Sequence, residues 1–168
     1  VYCGTLNRHI QTAQGMGFGN GAIQDARLNE MEYFELAMRL EEQEGIPIPT
    51  EREGFTAHLP MVYAKWQAGQ IENPPETFAD FENRVRGALV DIAAGQGPAL
   101  VSTSGGVIAM AMRQALQLDT VAMAQMTLAI MNSSMHRLFP IGGRLSPVLF
   151  NAVPHLSHPD RHYAQTHL

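Results

Sequence analysis

The sequence predicts an α/β protein, a three-layer α/β/α sandwich around a mostly parallel sheet, folded as a single domain over residues 1–168. Three observations lead there. Two short apolar runs, "VYC" at Val1–Cys3 and "PALVST" at Pro98–Thr103, each pass through a turn of small residues into a helical pattern, which is how an α/β protein builds a site. Helical periodicity dominates elsewhere, most cleanly where Phe78, Phe81, Val85, Leu89 and Ile92 step by three and four. Helices alternating with few strands place those strands in a parallel sheet covered by helices. Only two or three strands are visible, fewer than such a sheet normally holds, so an additional N-terminal strand preceding Val1 is expected.

In chain order, a strand end at Val1–Cys3 leads to a helix from Leu6 to Gln14. Gly15–Ile23 carries four glycines in nine residues and reads as loop. The next segment becomes helical, with Phe34, Met38 and Leu40 as its apolar stripe, and "GIPIPT" stops it. Glu51–Ala68 shows Phe55, Leu59, Val62 and Trp66 at helical spacing, with a kink expected at Pro60. After the break "ENPPET" come helix Thr77–Ala94, strand Ala99–Thr103, helix Val107–Leu118 and a short helix at Val121–Ala129. Two strand-like runs then flank Gly142-Gly143 as a β-hairpin, and the polar tail "HPDRHYAQTHL" is expected to be loose at its end.

Composition narrows the function classes. Eleven Lys and Arg against sixteen Asp and Glu give a net charge of −5, and no basic patch offers the footprint of a nucleic-acid binder. No apolar run is long enough for a membrane span. The single cysteine, Cys3, has no internal disulfide partner, which fits a cytoplasmic, reducing setting. Nothing calls for a cofactor or metal: His155, His158 and His162 are interrupted by Pro159 and lack a helix to gather them. Met110, Met112, Met123, Met126 and Met131 read as core filler. The oligomeric state is open, a homodimer included.

The chemistry-bearing residues are few. Ser104 stands where a strand hands over to a helix, with Gly105 and Gly106 following and hydroxyls at Ser102 and Thr103 before it. Backbone N–H groups at such a helix start, together with the hydroxyls, form a cradle for an oxyanion or phosphate. A hydrolase elbow G-x-S-x-G would make Ser104 a nucleophile, but Ser102 occupies the first glycine position. No phosphate-binding G-x-x-x-x-G-K-[ST] loop occurs. Arg8, one turn into a helix after a strand, can reach over the strand ends and grip an oxyanion with its planar fork; His9, its neighbour, reads as surface or structural. Glu30, beside Leu28 and Met31, is a carboxyl that desolvation would raise in pKa and equip to protonate a leaving group, with Glu32 as competitor.

Taken in order, "VYCGTLNRHIQTAQ", "RLNEMEY", "ETFADFENRVRGALVDI" and "PALVSTSGGVIAMAMRQAL" resemble the histidine phosphatase (phosphoglycerate mutase-like) superfamily over nearly the whole chain. Leu6, Arg8, Gln11, Thr12 and Ala13 match its L-x-R-x-x-Q-T-A pattern, and Leu28 with Glu30 match its L-x-E. Two departures stand out. The family's R-H-G, whose histidine is the nucleophile, occurs nowhere in this chain, and "STSGG" puts Ser104 where the family has a second pocket histidine, the form of an S-G-G subgroup. The resemblance implies a domain hydrolysing small phosphate monoesters through a phosphohistidine supplied by the N-terminal segment, with Arg8, Ser104 and Gly105 binding phosphate and Glu30 as catalytic acid and base. A neutral serine in place of an imidazole implies slow turnover. The alternative is an inactive phospholigand-binding or regulatory domain of the same fold, and a serine hydrolase using Ser104 is the third reading.

Overall fold

The computed structural model describes residues 1–167. Its parallel sheet has three short strands in the order β2-β1-β3: β1 (Tyr2–Cys3) is central, flanked by β2 (Ile23–Gln24) and β3 (Val101–Ser102). Tyr2 pairs with Ile23 and Val101, and Cys3 with Gln24 and Ser102, so the strands end level with one another. Successive strand residues face opposite sides of a sheet. Tyr2 and Val101 therefore pack on Leu28, Ala88 and Ile92, while on the other face the Ser102 hydroxyl donates to the His9 carbonyl of α1 (Asn7–Gly15) at 3.1 Å. Helices thus lie on both faces, as the apolar patterning predicts.

Most of the core lies between helices. α2 (Tyr33–Glu44), α3 (Arg52–Gln67), α4 (Phe78–Ala93), α5 (Gly105–Leu116) and α6 (Thr120–Ala129) bury Leu36, Leu40, Val62, Trp66, Phe81, Val85, Met110 and Met123 in one cluster. Thr77 caps α4 by accepting from the Asp80 N–H, and Asp119 caps α6 by accepting from the Ala122 N–H; each satisfies a donor that the first helical turn leaves free. β4 (Met135–Ile141) and β5 (Arg144–Ala152) pair as a separate antiparallel hairpin. Its turn puts Gly142 and Gly143 at φ of 58° and 79°, the left-handed pair that a two-residue hairpin turn requires. No helix among the described residues is long and apolar enough to cross a membrane.

Three expectations need correction. The buried face of α2 is Leu36, Ala37 and Leu40, which share one side of the helix at i, i+1 and i+4, while Phe34 and Met38 fall on the exposed side. α5 starts at Gly105, two residues before Val107, since the turn glycines enter the helix. α3 spans Arg52–Gln67 with Pro60 inside it. The tail is tied down: 3-10 turns form at Pro154–Leu156 and Pro159–Ala164, and the Asn132 N–H donates to the Thr166 carbonyl at 2.7 Å. Leu168, the last residue of that tail, lies outside the described residues.

One side chain ties the helical core to the segment below the sheet. Arg84 of α4 forms a two-pronged pair with Glu76, Nε at 2.8 Å and Nη2 at 2.6 Å. Its Nη1 donates to the carbonyls of Arg27 at 2.9 Å and Asn29 at 2.7 Å, and its guanidinium lies 4.6 Å from the centre of the Phe81 ring. Residues 27–30 have little regular structure of their own, so their carbonyls depend on this fork. Arg84→Met, which keeps the stem but removes the fork, is expected to lower unfolding stability by about 2 kcal/mol in urea titrations, because it breaks a partly buried ion pair and leaves two carbonyls without their donor. Lys65→Met, which breaks the more exposed pair with Glu44, should cost less than about 1 kcal/mol.

Candidate active site

Three residues separate β1 from α1 and two separate β3 from α5. Because the parallel strands end level, both helices begin over the same edge of the sheet, the place where open α/β sheets hold ligands. Arg8 in the first turn of α1 therefore meets Ser104, the N-cap residue of α5. Arg8 Nε and Nη2 each lie 3.2 Å from Ser104 Oγ, and the Arg8 side chain is exposed on its outer side. Ser104 Oγ makes no capping bond to its own helix, so its hydroxyl belongs to the site.

Beneath Ser104 sits His9, only 2% exposed. Its Nε2 is 2.5 Å from Ser104 Oγ, and its Nδ1 is buried without a hydrogen-bond partner. Gly4 makes room for the ring: a Cβ at that position would collide with His9 Nδ1. Burial, reinforced by the neighbouring Arg8 charge, pulls the imidazole pKa down to about 4, so His9 is neutral at physiological pH. Adjacent helical residues point about 100° apart, yet both Arg8 and His9 reach Ser104, the arginine by curling its long stem over the top and the histidine directly from below.

Glu30 approaches from the other side. Its Oε2 accepts from the Gly106 N–H at 3.1 Å and its Oε1 from the Met31 N–H at 3.1 Å. Burial raises its pKa, against the opposing pull of those two N–H bonds and the charges of Arg8 and Arg84. A carboxyl whose pKa is raised in this way is better suited to donate a proton than an exposed one. Gly106 is again a steric requirement, since a Cβ there would overlap Glu30 Oε1. Asn29 links the two halves: its Oδ1 accepts from the Thr5 N–H and its Nδ2 donates to Thr5 Oγ1, both at 2.7 Å.

The structure thus brings Arg8, Ser104 and Glu30 to one edge, with Gly105 between the residues that touch Arg8 and Glu30. Glu32, the competitor to Glu30, is exposed at the start of α2. The cradle is smaller than the sequence suggests. Ser102 and Thr103 spend their hydroxyls on the carbonyls of His9 and Leu28, and the Gly106 N–H is taken by Glu30. Three contributors escaped the sequence reading. His9 is at the site and not on the surface, Arg84 carries the Glu30 segment, and Asn29 joins it to Thr5. An isolated histidine, arginine or asparagine gives no signal of such a role in the sequence.

A serine-nucleophile reading gains a histidine partner from this geometry and then loses it on chemistry. The orienting acid of a Ser-His-Asp arrangement would bind Nδ1, which has no partner here, and an imidazole with a pKa of about 4 is a poor base. The tail histidines are occupied separately, His155 with Ser133 and His162 with the Ser157 carbonyl. Among the described residues no group of His, Cys, Asp and Glu is gathered to hold a metal.

Similarity to known proteins agrees with this architecture. A phosphoserine phosphatase from Entamoeba histolytica, solved as a mutant with phosphoserine, superposes with a TM-score of 0.61 at 17% identity, over 92% of this chain and 74% of that one. A mycobacterial glucosyl-3-phosphoglycerate phosphatase, solved with inorganic phosphate, gives 0.60 at 20% identity, over 94% and 78%. A search of curated proteins finds no match. The sequence model of the histidine phosphatase superfamily (branch 1) matches residues 1–153, nine-tenths of the chain including every residue of the site, and the chain belongs to that superfamily.

Proposed function

We propose that this domain hydrolyses small phosphate monoesters, with Arg8, the Ser104 hydroxyl and the Gly105 backbone holding the phosphoryl oxygens and Glu30 protonating the leaving oxygen. The observation that carries this reading is the convergence of an exposed arginine fork and a pKa-raised carboxyl on the start of one helix. The fork supplies charge to an oxyanion, and the protonated carboxyl supplies the proton that an alkoxide leaving group needs. The phosphatase neighbours support the same chemical class.

The nucleophile in this reading is a histidine of the R-H-G type on a segment upstream of Val1, in an S-G-G subgroup of the superfamily. β3 pairs with β1 on one edge only, and the hairpin β4–β5 forms its own sheet, so a strand laid along the other edge of β3 would bring such a histidine to the site. The second reading is a phospholigand-binding domain without turnover. It is favoured by one observation: among the described residues the only histidine at the site is His9, whose ring is buried behind Ser104. Either way the natural partner is a small phosphorylated molecule or phosphate, and a serine in place of a charged imidazole slows any turnover.

Steady-state kinetics on two esters test the assignment. Arg8→Ala should lower kcat/KM by about 10²–10³-fold on both, the usual cost of losing an oxyanion contact. Glu30→Gln should lower turnover of an alkyl phosphate by about 10²-fold or more, but that of p-nitrophenyl phosphate far less, because a good leaving group needs no proton. Unchanged turnover in Arg8→Ala would overturn the assignment, whereas phosphate binding without any turnover in the natural protein selects the second reading.

Glu30→Gln should also change stability with a defined pH sign. A carboxyl whose pKa is raised on folding favours the folded state while protonated, and that contribution is lost as pH rises from the ordinary glutamate range through the raised value. The Tm of Glu30→Gln should therefore exceed that of the natural protein at high pH, and the difference should shrink toward acid.

A further inference from the structure

The hydrogen-bond count at Ser104 Oγ is complete in a way that fixes its proton. A serine hydroxyl has one hydrogen and two lone pairs. Arginine only donates, and Arg8 presents two N–H groups to this oxygen, at 3.2 Å each. Both lone pairs are therefore occupied, and the hydroxyl hydrogen goes to the third neighbour, His9 Nε2, at 2.5 Å. His9 is then the tautomer with its proton on Nδ1.

Nothing else holds that tautomer. In most buried histidines the second ring nitrogen is bonded to a carbonyl or carboxylate, which decides where the proton sits. His9 Nδ1 has no such partner although the ring is almost wholly enclosed. The ring loses no hydrogen bond at Nδ1 whichever nitrogen carries the proton, so its tautomer follows Ser104 alone.

An oxyanion arriving at Arg8 changes what Ser104 faces. The arginine N–H groups turn to the anion, both serine lone pairs are released, and an acceptor oxygen now stands in front of a serine oxygen whose hydrogen points away. Donation to the anion is charge-assisted and about twice as strong as donation to a neutral imidazole nitrogen. We propose that the Ser104–His9 pair is a reversible hydrogen-bond relay: the empty site holds the Ser104 proton inward on His9 Nε2, and a bound phosphoryl group turns it outward while His9, protonated on Nε2, donates into the lone pair left behind. The ring gives up the Nδ1 proton and takes one on Nε2 by exchange with water, so its charge is zero throughout and no proton is consumed. His9 is thus a positioning residue, acting on the ligand through Ser104. The inference rests on the oxyanion-site reading above and adds the device by which a serine, with a histidine behind it, presents a donor to phosphate.

Long-range proton–nitrogen correlation spectra of the protein labelled with ¹⁵N in histidine test it, with His9 assigned by its disappearance in His9→Gln. The expected result is a proton on Nδ1 without ligand and on Nε2 when inorganic phosphate is saturating. In Ser104→Ala the ring should no longer respond to phosphate, and phosphate affinity should fall about tenfold or more, as for a hydrogen bond to a charged group. His9→Gln, whose amide can accept or donate by rotating, should bind phosphate within about threefold of the natural protein, while His9→Leu loses about tenfold. An unchanged tautomer, or a ring protonated on both nitrogens, with phosphate binding saturable and lost in Arg8→Ala, overturns the relay and leaves the oxyanion site standing. Phosphate that does not bind, or binds equally to Arg8→Ala, overturns the site and the relay together. If His9→Leu fails to fold, the spectra of the natural protein decide the matter alone.

Discussion

The contact between Glu30 and the Gly106 N–H is the constraint on which the site depends. A helix start leaves backbone donors unpaired and carries a partial positive charge, so it needs an acceptor. Ser104 stands at the position where a serine would normally supply one, but its hydroxyl is turned to Arg8 and His9. Glu30 takes over that duty from a distant segment. The exchange frees the serine for the ligand side and draws a carboxyl into the same few ångströms. It also explains the glycine at 106, where a side chain would occupy the place of the Glu30 carboxyl.

Holding a carboxyl there against its own desolvation requires a supporting layer, and the layer is polar. Arg84 fixes the carbonyls of residues 27 and 29, Asn29 clasps Thr5, and Thr103 Oγ1 donates to the Leu28 carbonyl at 2.6 Å. These bonds join four separate stretches of chain, of which only the one carrying Arg84 lies inside a long helix. Because the segment has few backbone partners of its own, side chains do the work that a longer strand would do by ladder bonds. Leu28 inside this layer is fully buried against Ala88 and Ile92, so the polar clasp is anchored to an apolar floor.

What could be read from the sequence follows from periodicity and from local turn chemistry. The step pattern from Phe78 to Ile92 matches α4, and the glycine pair matches the hairpin turn, because each is decided within a few residues of itself. Arg8, Ser104 and Glu30 were legible as candidates because each sits at a strand-to-helix transition or in a recognisable pattern. The Arg84 fork, the Asn29 clasp and the burial of His9 were not, since each joins residues tens of positions apart and leaves no periodic trace. The same limit misassigned Ser102 and Thr103, whose hydroxyls look free in sequence and are used up by carbonyls brought in from elsewhere.

The neutral state of His9 has a consequence for its neighbour across the site. Two cations already act on Glu30, Arg8 and Arg84, and both work to hold its carboxyl ionised; burial outweighs them and keeps the pKa raised. A third positive charge at position 104, as a protonated imidazole would provide, would add to the ionising side and pull that pKa back down. Serine backed by an uncharged histidine adds a hydrogen-bond donor for an oxyanion without adding that charge.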